Sequence, residues 1–417
     1  MIPLSTRLSG SRCMGCGAEY TTQPFRLVCE ACGENLELVF DHAAIAARWR
    51  RSGLRHDGRR DLWRYLPLLP VEDGPDNSSL QVGGTPLVNF PRTAAELGLG
   101  RLWLKDDCRN PSASLKDRAS EVAIRHAVEL GADTLVAAST GNAAASLSAL
   151  CAFQRRRAVI FAPASAPEAK LVQIRQYGAS LFKVDGSYDN AFDLATEVVR
   201  RTGWYMRNTG VNPVLSEGKK TVALEIAEEL DWRPPDHVLV PVGDGCIIGG
   251  VYKGFADLLA LGWIESMPRI TAVQAAGSAA ICTALRQDTD IVPVKARTVA
   301  DSISVDRPRD GLKALRAVRQ SGGGALIVSD EEILAAQQEL SRRGLFAEPA
   351  AAAAWAGLRP ALAEGLIKPG ERVCVLVTGS GLKDVSAAGR RLPEAPTIEP
   401  TLAAFEDQAR KSGLLND

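Results

Sequence analysis

The sequence has no excess of either charge and no long apolar run. Its 49 lysine and arginine residues equal its 49 aspartate and glutamate residues, so the formal net charge is zero. A balanced chain gives no electrostatic reason to expect a nucleic acid or an anionic membrane as partner. No apolar stretch reaches the roughly 20 residues that a membrane-spanning helix needs. The start also lacks the apolar core of a signal peptide, so we expect a cytoplasmic protein.

Two pairs of cysteines near the start of the chain have the spacing of a zinc site. Cys13 and Cys16 form the first pair, and Cys29 and Cys32 form the second pair after twelve intervening residues. A glycine follows each pair and permits a tight turn. Four thiolates arranged in this way form the tetrahedral site of structural zinc, and such a closed site leaves no open position for catalysis. We therefore predict a zinc-ribbon-like segment with a structural role.

A lysine follows a turn rich in hydroxyl groups at residues 110–118, which read Asn-Pro-Ser-Ala-Ser-Leu-Lys-Asp-Arg. Asn-Pro is a turn signal, and small and apolar residues recur at helical spacing after Lys116. The pattern therefore places Lys116 at the start of a helix. A helix N-terminus disfavours a cation and lowers the pKa of a lysine, which can then act as a nucleophile or form a Schiff base. The alternative for a lone lysine is a solvated side chain.

Apolar strands alternate with helices beyond residue 118, for example at 134–138, 158–162, 237–242 and 373–377. This alternation predicts an α/β fold with parallel sheets covered by helices. In such sheets, ligands bind beyond the carboxyl ends of the strands. We divide the chain into four parts. A zinc-ribbon-like segment spans residues 1–40, and a large α/β domain comprises residues 41–132 and 208–394. A small α/β domain spans residues 133–207, and a C-terminal tail spans residues 395–417.

A glycine-rich turn at 243–250 lies between a predicted strand and a predicted helix. Such a turn presents backbone N–H groups and a helix N-terminus to an anion, usually a phosphate. The alternative for so short a motif is a turn that only packs. It is not a nucleotide-binding P-loop, because the Gly-Lys-Ser/Thr of that motif is absent. Two further loops, at 139–142 and 378–381, also follow strands and carry hydroxyl and amide groups.

Together these loops offer what pyridoxal 5′-phosphate needs: an amine for its aldehyde, N–H groups for its phosphate, and partners for its phenolate oxygen and ring nitrogen. The motifs that carry these groups follow one another as GGTPLV, NPSASLKDR, STGNAAASL, VPVGDGCIIGGVYKGF, FAEPAAAA and LVTGSGLKD. In this order they resemble the fold-type II pyridoxal-phosphate enzymes, and within them the threonine synthase family. The resemblance implies two doubly wound α/β domains behind the zinc-ribbon-like segment. It also implies a homodimer that binds a small amino-acid substrate.

The resemblance also implies a role for each loop. Lys116 would form the Schiff base with the cofactor and move protons, Asn142 would hydrogen-bond the phenolate oxygen, and Thr378 would meet the pyridine nitrogen. The residues that would hold the cofactor phosphate are Gly243, Asp244, Gly245, Cys246 and Ile247. The residues that would bind the substrate are Ser114, Ser139, Thr140, Gly141 and Ala143.

The implied activity is that of a pyridoxal-phosphate-dependent carbon–oxygen lyase that converts O-phospho-L-homoserine and water to L-threonine and phosphate. One alternative is a related enzyme that carries out β-elimination or β-replacement on another amino acid, as serine and threonine dehydratases or cysteine and cysteate synthases do. A second alternative is a cofactor-binding protein without turnover. Intact Lys116 and the loop at 139–142 argue against that last alternative.

Several positions depart from the family pattern. Leu215 takes the place of an arginine, Ser304 takes the place of another, and Asp301 stands where threonine is frequent. Ile247 stands where asparagine is common, and Ser380 stands where histidine is common. A phosphorylated substrate needs cations. Four basic residues are candidates for these cations, namely Lys105, Arg109, Lys219 and Lys220, and the alternative for each is a solvated charge.

Overall fold

Three β-sheets organise the part of the chain that the computed structural model describes, residues 2–73, 80–139, 141–166 and 168–415. In chain order the strands are β1 (Leu8–Cys13), β2 (Glu19–Tyr20), β3 (Leu36–Phe40), β4 (Leu87–Asn89), β5 (Arg101–Asp106), β6 (Thr134–Ala138), β7 (Arg157–Pro163), β8 (Ser180–Val184), β9 (Tyr205–Met206), β10 (His237–Pro241), β11 (Arg269–Ala275), β12 (Ala325–Val328) and β13 (Arg372–Val377).

Helices connect these strands. In chain order the α-helices are α1 (Leu4–Arg7), α2 (His42–Arg48), α3 (Arg51–Leu54), α4 (Pro91–Glu96), α5 (Lys116–Glu129), α6 (Asn142–Phe153), α7 (Glu168–Gln176), α8 (Tyr188–Thr202), α9 (Val214–Glu229), α10 (Cys246–Ala260), α11 (Ala280–Gln287), α12 (Gly311–Ser321), α13 (Asp330–Arg342), α14 (Pro349–Ala356), α15 (Leu358–Ala363), α16 (Val385–Gly389) and α17 (Leu402–Lys411). Short 3-10 helices span Leu62–Leu68, Asp107–Arg109, Ala276–Ser278, Asp301–Ile303 and Gly381–Lys383. Among the described residues, every helix is too short or too polar to cross a lipid bilayer.

The largest sheet has the strand order β12-β11-β10-β13-β5-β4, and all of its pairs are parallel except that of β4 with β5. Successive residues of a strand point to opposite faces. Accordingly, Val373, Val375 and Val377 of β13 join the core that contains α13 and α14, whereas Cys374 and Leu376 join the core that contains α9 and α10. Helices cover both faces, which explains why the central strands read as continuous apolar runs.

The second sheet is parallel and has the order β8-β7-β6-β9. Leu135 and Ala137 of β6 pack in the same core as α6, and Val136 and Ala138 pack with α8. Strands β1, β2 and β3, within residues 8–40, form a separate antiparallel sheet with the order β2-β1-β3. The predicted α/β fold, with parallel sheets covered by helices, is therefore confirmed, and the domain boundaries stay a prediction.

Two helix predictions are wrong in their limits. The sequence pattern predicts one helix from Asp41 to Ser52, but the structure breaks it at Trp49, whose backbone is extended. The ring of Trp49 packs on that of Trp263 with centroids 4.4 Å apart, and this long-range contact overrides the local helical periodicity. The sequence pattern also predicts a helix from Thr221 to Leu230, whereas the structure begins this helix at Val214.

A buried ion network joins the start of α5 to α9. The Arg118 guanidinium donates from Nε to Asp107 Oδ2 at 2.7 Å and from Nη1 to Glu225 Oε1 at 2.6 Å. The Lys105 ammonium lies 2.8 Å from the other oxygen of Glu225. Burial opposes the charge of Glu225, but Arg118 and Lys105 outweigh it and hold the pKa of that carboxyl well below its usual range. The network therefore anchors helix α5 at Arg118, two residues after Lys116.

We expect Arg118→Met to lower the free energy of unfolding by about 3–5 kcal/mol, because it leaves the buried Asp107 carboxylate without its cation and removes one of the two cations of Glu225. Chemical denaturation of the two proteins measures the difference. Arg200→Met is the control, since Arg200 forms an exposed pair with Glu197 at 2.8 Å and such pairs contribute little to stability. Equal losses in both variants would contradict a stabilising role for the buried network.

Candidate active site

Two loops at strand ends are joined by backbone hydrogen bonds around Lys116. The Leu115 N–H donates to the Thr378 carbonyl oxygen at 2.9 Å, and the Ser380 N–H donates to the Ala113 carbonyl oxygen at 3.1 Å. The Ser114 hydroxyl accepts from the Lys116 N–H at 3.1 Å, at the first residue of α5. Lys116 therefore begins a helix, as predicted, and its turn is fixed to the carboxyl end of β13.

The pKa of Lys116 is lowered to about 8, mainly because the amine is buried. The neighbouring cations of Lys219 and Arg207 lower it further, while Cys246 and Glu348 act in the opposite direction. The direction of the shift matches the sequence prediction, whereas burial, rather than the helix N-terminus, is its main cause. A neutral amine is therefore accessible near physiological pH, and an amine in this state can attack an aldehyde.

The glycine-rich turn forms a cradle between β10 and α10. Gly245 adopts a φ of +98°, a left-handed conformation that favours glycine. A Cβ at Gly243 would lie 2.8 Å from Ile303 Cα, so the backbone approaches that loop too closely for a side chain. Helix α10 begins at Cys246, where the first N–H groups have no partners within the helix. The turn therefore offers the donors that a phosphate group needs.

A buried lysine adds positive charge to this cradle. Lys219 Nζ is fully buried and donates to Cys246 Sγ at 2.5 Å. Of the candidate cations for a phosphorylated substrate, Lys219 is thus the one that contacts a residue of the phosphate cradle, Cys246. Lys105 instead forms ion pairs with Glu225 and Glu229. Lys220 forms ion pairs with Glu217 and Asp257. The Arg109 side chain is mostly exposed and pairs with Asp106, away from the cavity.

The loop after β6 leads into a second helix N-terminus. The Ser139 hydroxyl accepts from the Gly141 N–H at 3.2 Å, and α6 begins at Asn142. This end of α6 opens on the cavity, where its first N–H groups can bind a carboxylate. Thr140, which the sequence assigns to the same role, lies outside the described residues.

Glu348 is a site residue that the sequence reasoning missed. It is buried, and its carboxylate accepts from Asn142 Nδ2 at 2.8 Å and from the Ser302 hydroxyl at 3.2 Å. Burial raises the pKa of Glu348. A Cβ at Gly379 would clash with this carboxylate, so the glycine after Thr378 makes room for it. The signal was the Glu-Pro of FAEPAAAA, which places Glu348 just before α14.

These elements enclose a cavity of about 470 Å³, within the range of small-molecule sites. The predicted residues that line it are Lys116, Ser139, Gly141, Asn142, Ala143, Gly243, Asp244, Gly245, Cys246, Ile247 and Thr378. Ser114 does not line it, because this serine is buried behind Lys116 and binds the Lys116 N–H instead. A lysine amine, a phosphate cradle and a carboxylate-binding helix end therefore face a single space, which fits pyridoxal phosphate and an amino acid.

The positions that depart from the family pattern fall in two places. Leu215 is buried in the core, so its side chain has no part in the cavity wall. Asp301 and Ser304 do line the cavity. The same wall carries Arg307 and Arg309, which the sequence reasoning did not single out. The arginines that line the cavity thus lie in the loop before α12 and not in α9.

The four cysteines of the first segment converge on one point. Their sulfur atoms all lie within 4.8 Å of one another, with Cys13 to Cys32 at 3.5 Å and Cys16 to Cys29 at 3.6 Å. A tetrahedron with zinc–sulfur bonds of about 2.3 Å has sulfur atoms about 3.8 Å apart. The arrangement therefore has the geometry of a four-thiolate metal site.

Comparison with known proteins agrees with this geometry. Residues 78–379 match the pyridoxal-phosphate dependent enzyme family. Threonine synthase from Methanocaldococcus jannaschii is 39% identical over 93% of this chain and 96% of its own length. Threonine synthase from Methanosarcina acetivorans is 37% identical over 95% of this chain and 97% of its own length. This chain belongs to the threonine synthase family of pyridoxal-phosphate dependent lyases.

Solved structures show the same fold at lower identity. Threonine deaminase isoform 2 from Solanum lycopersicum superposes with a TM-score of 0.63 at 23% identity, covering 73% of this chain and 85% of its own. Maize serine racemase superposes with a TM-score of 0.62 at 20% identity, covering 79% of this chain and 92% of its own. These likenesses concern the fold alone, because one fold hosts many activities.

The lowered pKa of Lys116 predicts when its amine reacts with an aldehyde. In cofactor-free protein, we expect the rate of covalent attachment of pyridoxal phosphate to rise with pH around a midpoint near 8, where half of the amine is neutral. Stopped-flow absorbance between pH 6 and 10 measures this rate, and Lys116→Ala is the control that shows no attachment. A midpoint near the usual lysine value of about 10.4 would contradict the effect of burial.

Proposed function

We propose that the protein is a threonine synthase that acts on O-phospho-L-homoserine. The observation that carries the proposal is a single cavity in which Lys116, the N-terminus of α6 and the arginines at 307 and 309 all line the wall. The helix end and the arginines match the carboxylate and phosphate of the substrate, and Lys116 supplies the amine that the cofactor needs. The names of the relatives, which are similar over nearly the whole chain, support the same reaction.

Lys116 is the group that moves protons. Bound pyridoxal phosphate supplies an electron sink for bonds at the substrate α carbon. The buried Nζ of Lys116 can accept a proton from that carbon and return one, because its lowered pKa keeps both protonation states accessible near neutral pH. Thr378 places a neutral hydroxyl, and not a carboxylate, at the end of β13. A neutral hydroxyl beside the pyridine nitrogen of the cofactor suits elimination at the β and γ carbons more than transamination.

The substrate phosphate requires a cation, and Arg307 is the best placed. Its side chain is exposed on the cavity wall and forms no ion pair or hydrogen bond within the described residues. Arg309 is already engaged, because it pairs with Asp189 at 2.7 Å and stacks 3.8 Å from the Phe192 ring centroid. We assign the phosphate to Arg307, which would replace the arginine that position 215 lacks.

We also propose that the four-cysteine cluster binds structural zinc, on the sulfur separations given above. The cytoplasmic location and the homodimer that the sequence predicts belong to the same proposal.

The proposed reaction has a direct test. Incubation of the purified holoprotein with O-phospho-L-homoserine should release phosphate and L-threonine in equal amounts, measured by a phosphate assay and chromatography. Lys116→Ala should release neither. A wild-type protein that carries covalently bound cofactor yet releases neither product would contradict the proposal.

A second candidate function is β-elimination or β-replacement on an unphosphorylated amino acid. Asp301 and Ser304 on the cavity wall favour it, since an acidic group there opposes a phosphate. Keto-acid formation from serine or threonine, together with inactivity on O-phospho-L-homoserine, would support this reading over the first.

Arg307→Ala should raise the KM for O-phospho-L-homoserine by roughly 10- to 100-fold, because it removes a charge-assisted hydrogen bond to the phosphate. The spectral Kd for L-2-aminobutyrate, which has no phosphate, should stay within about twofold. Arg307→Lys should recover part of the loss. Arg286→Ala is the matched control, since Arg286 is an exposed arginine that pairs with Glu364 elsewhere. An unchanged KM in Arg307→Ala would refute the assignment.

A further inference from the structure

The four-cysteine segment contacts the rest of the protein beside the phosphate cradle. Asn35 lies three residues after Cys32, and its carbonyl oxygen accepts from the Met14 N–H at 2.9 Å, so its backbone is held between the two cysteine turns. Its side chain is buried and reaches the loop that precedes α12. There Asn35 Nδ2 donates to Asp310 Oδ1 at 3.0 Å and to the Arg309 carbonyl oxygen.

The two residues that receive this amide also hold the cradle. The Arg309 N–H donates to Asp244 Oδ1 at 2.5 Å, and the Asp310 N–H donates to the Asp244 carbonyl oxygen at 2.9 Å. A Cβ at Gly245 would lie 2.5 Å from the Asp310 carbonyl oxygen. Residues 309 and 310 therefore pack directly against the turn that binds the cofactor phosphate.

The contact between Asn35 and residues 309 and 310 is buried, so these side chains have little room to move. Asp310 is 2% exposed and pairs with Lys313 at 3.1 Å, and Lys313 in turn donates to the Ser216 hydroxyl at 3.3 Å. Buried polar groups are costly to leave unpaired. A displacement of Asn35 would therefore remove partners from Asp310 and from the Arg309 carbonyl group, and it would loosen the peptide groups that fix Asp244.

We propose that Asn35 is a positioning residue for the cofactor phosphate, and that metal bound by the four cysteines controls cofactor affinity through it. The metal holds the two cysteine turns together, the turns fix Asn35, and Asn35 orders residues 309 and 310 against the cradle. No cysteine of the cluster lines the cavity that would hold the cofactor. The inference rests on the proposed metal site and goes beyond the proposed reaction.

Other contacts also attach the segment, and they provide a matched control. Glu37 pairs with Arg316 farther along α12, with Arg316 Nη1 at 2.8 Å from Glu37 Oε2. Lys253 Nζ donates to the Leu38 carbonyl oxygen at 2.9 Å. These contacts fasten the segment without touching residues 309 and 310. A variant at Glu37 therefore weakens the attachment of the segment without changing the contact of Asn35 with residues 309 and 310.

The test measures the Kd for pyridoxal phosphate by absorbance titration of cofactor-free protein, with metal content by elemental analysis and Tm by calorimetry. Asn35→Ala should keep its metal and raise this Kd by about five- to tenfold, the effect of one net hydrogen bond. Glu37→Gln should lower Tm but leave the Kd within about twofold. An unchanged Kd in Asn35→Ala, or an equal rise in Glu37→Gln, would overturn the role of Asn35.

Metal removal gives the second arm of the test. Chelation under reducing conditions should raise the wild-type Kd for pyridoxal phosphate by a similar factor, and readdition of zinc should reverse the change. In Asn35→Ala, chelation should add no more than about twofold, because the path is already broken. The proposal would be overturned if the protein bound no zinc, or if its Kd for pyridoxal phosphate did not change with its zinc content. Substrate is absent throughout, so the result is independent of the proposed reaction.

Discussion

The active site depends on one constraint: the amine of Lys116 has to be buried and yet reactive. Burial lowers its pKa to about 8, and nearby cations add to the effect. The constraint is met because Lys116 begins a helix whose preceding turn is hydrogen-bonded to the end of β13. The Arg118 network then holds the same helix from its other side. Without these attachments a lysine would extend to solvent, as most lysines do.

Much of this site is predictable from the sequence, because its signals are local. Lys116, the cradle at 243–247 and the loop at 139–142 each combine a strand end with a turn and a helix start, within about ten residues. The structure places all of their described members on one cavity wall except Ser114. That serine holds the Lys116 N–H, a role that depends on which way the turn folds.

The remainder could not be predicted, because it depends on contacts between distant residues. Glu348 meets Asn142 across 206 positions of the chain, and Asn35 meets Asp310 across 275. Lys105 looked like a candidate for the substrate phosphate, yet two glutamates from α9 bury and neutralise it. Arg307 has an unremarkable sequence context, and only the fold brings it to the cavity. Local pattern therefore identifies the cofactor, while tertiary packing decides which charges face the substrate.

The central claim is that Lys116 moves protons on O-phospho-L-homoserine within this cavity and yields threonine. The most direct measurement is the reaction in deuterium oxide, followed by mass spectrometry and proton NMR of the amino acid formed. The account predicts threonine that carries deuterium at the α carbon and at the methyl carbon, because protons are returned at both positions. Formation of 2-oxobutanoate in place of threonine, or recovery of unlabelled substrate from the holoprotein, would contradict it.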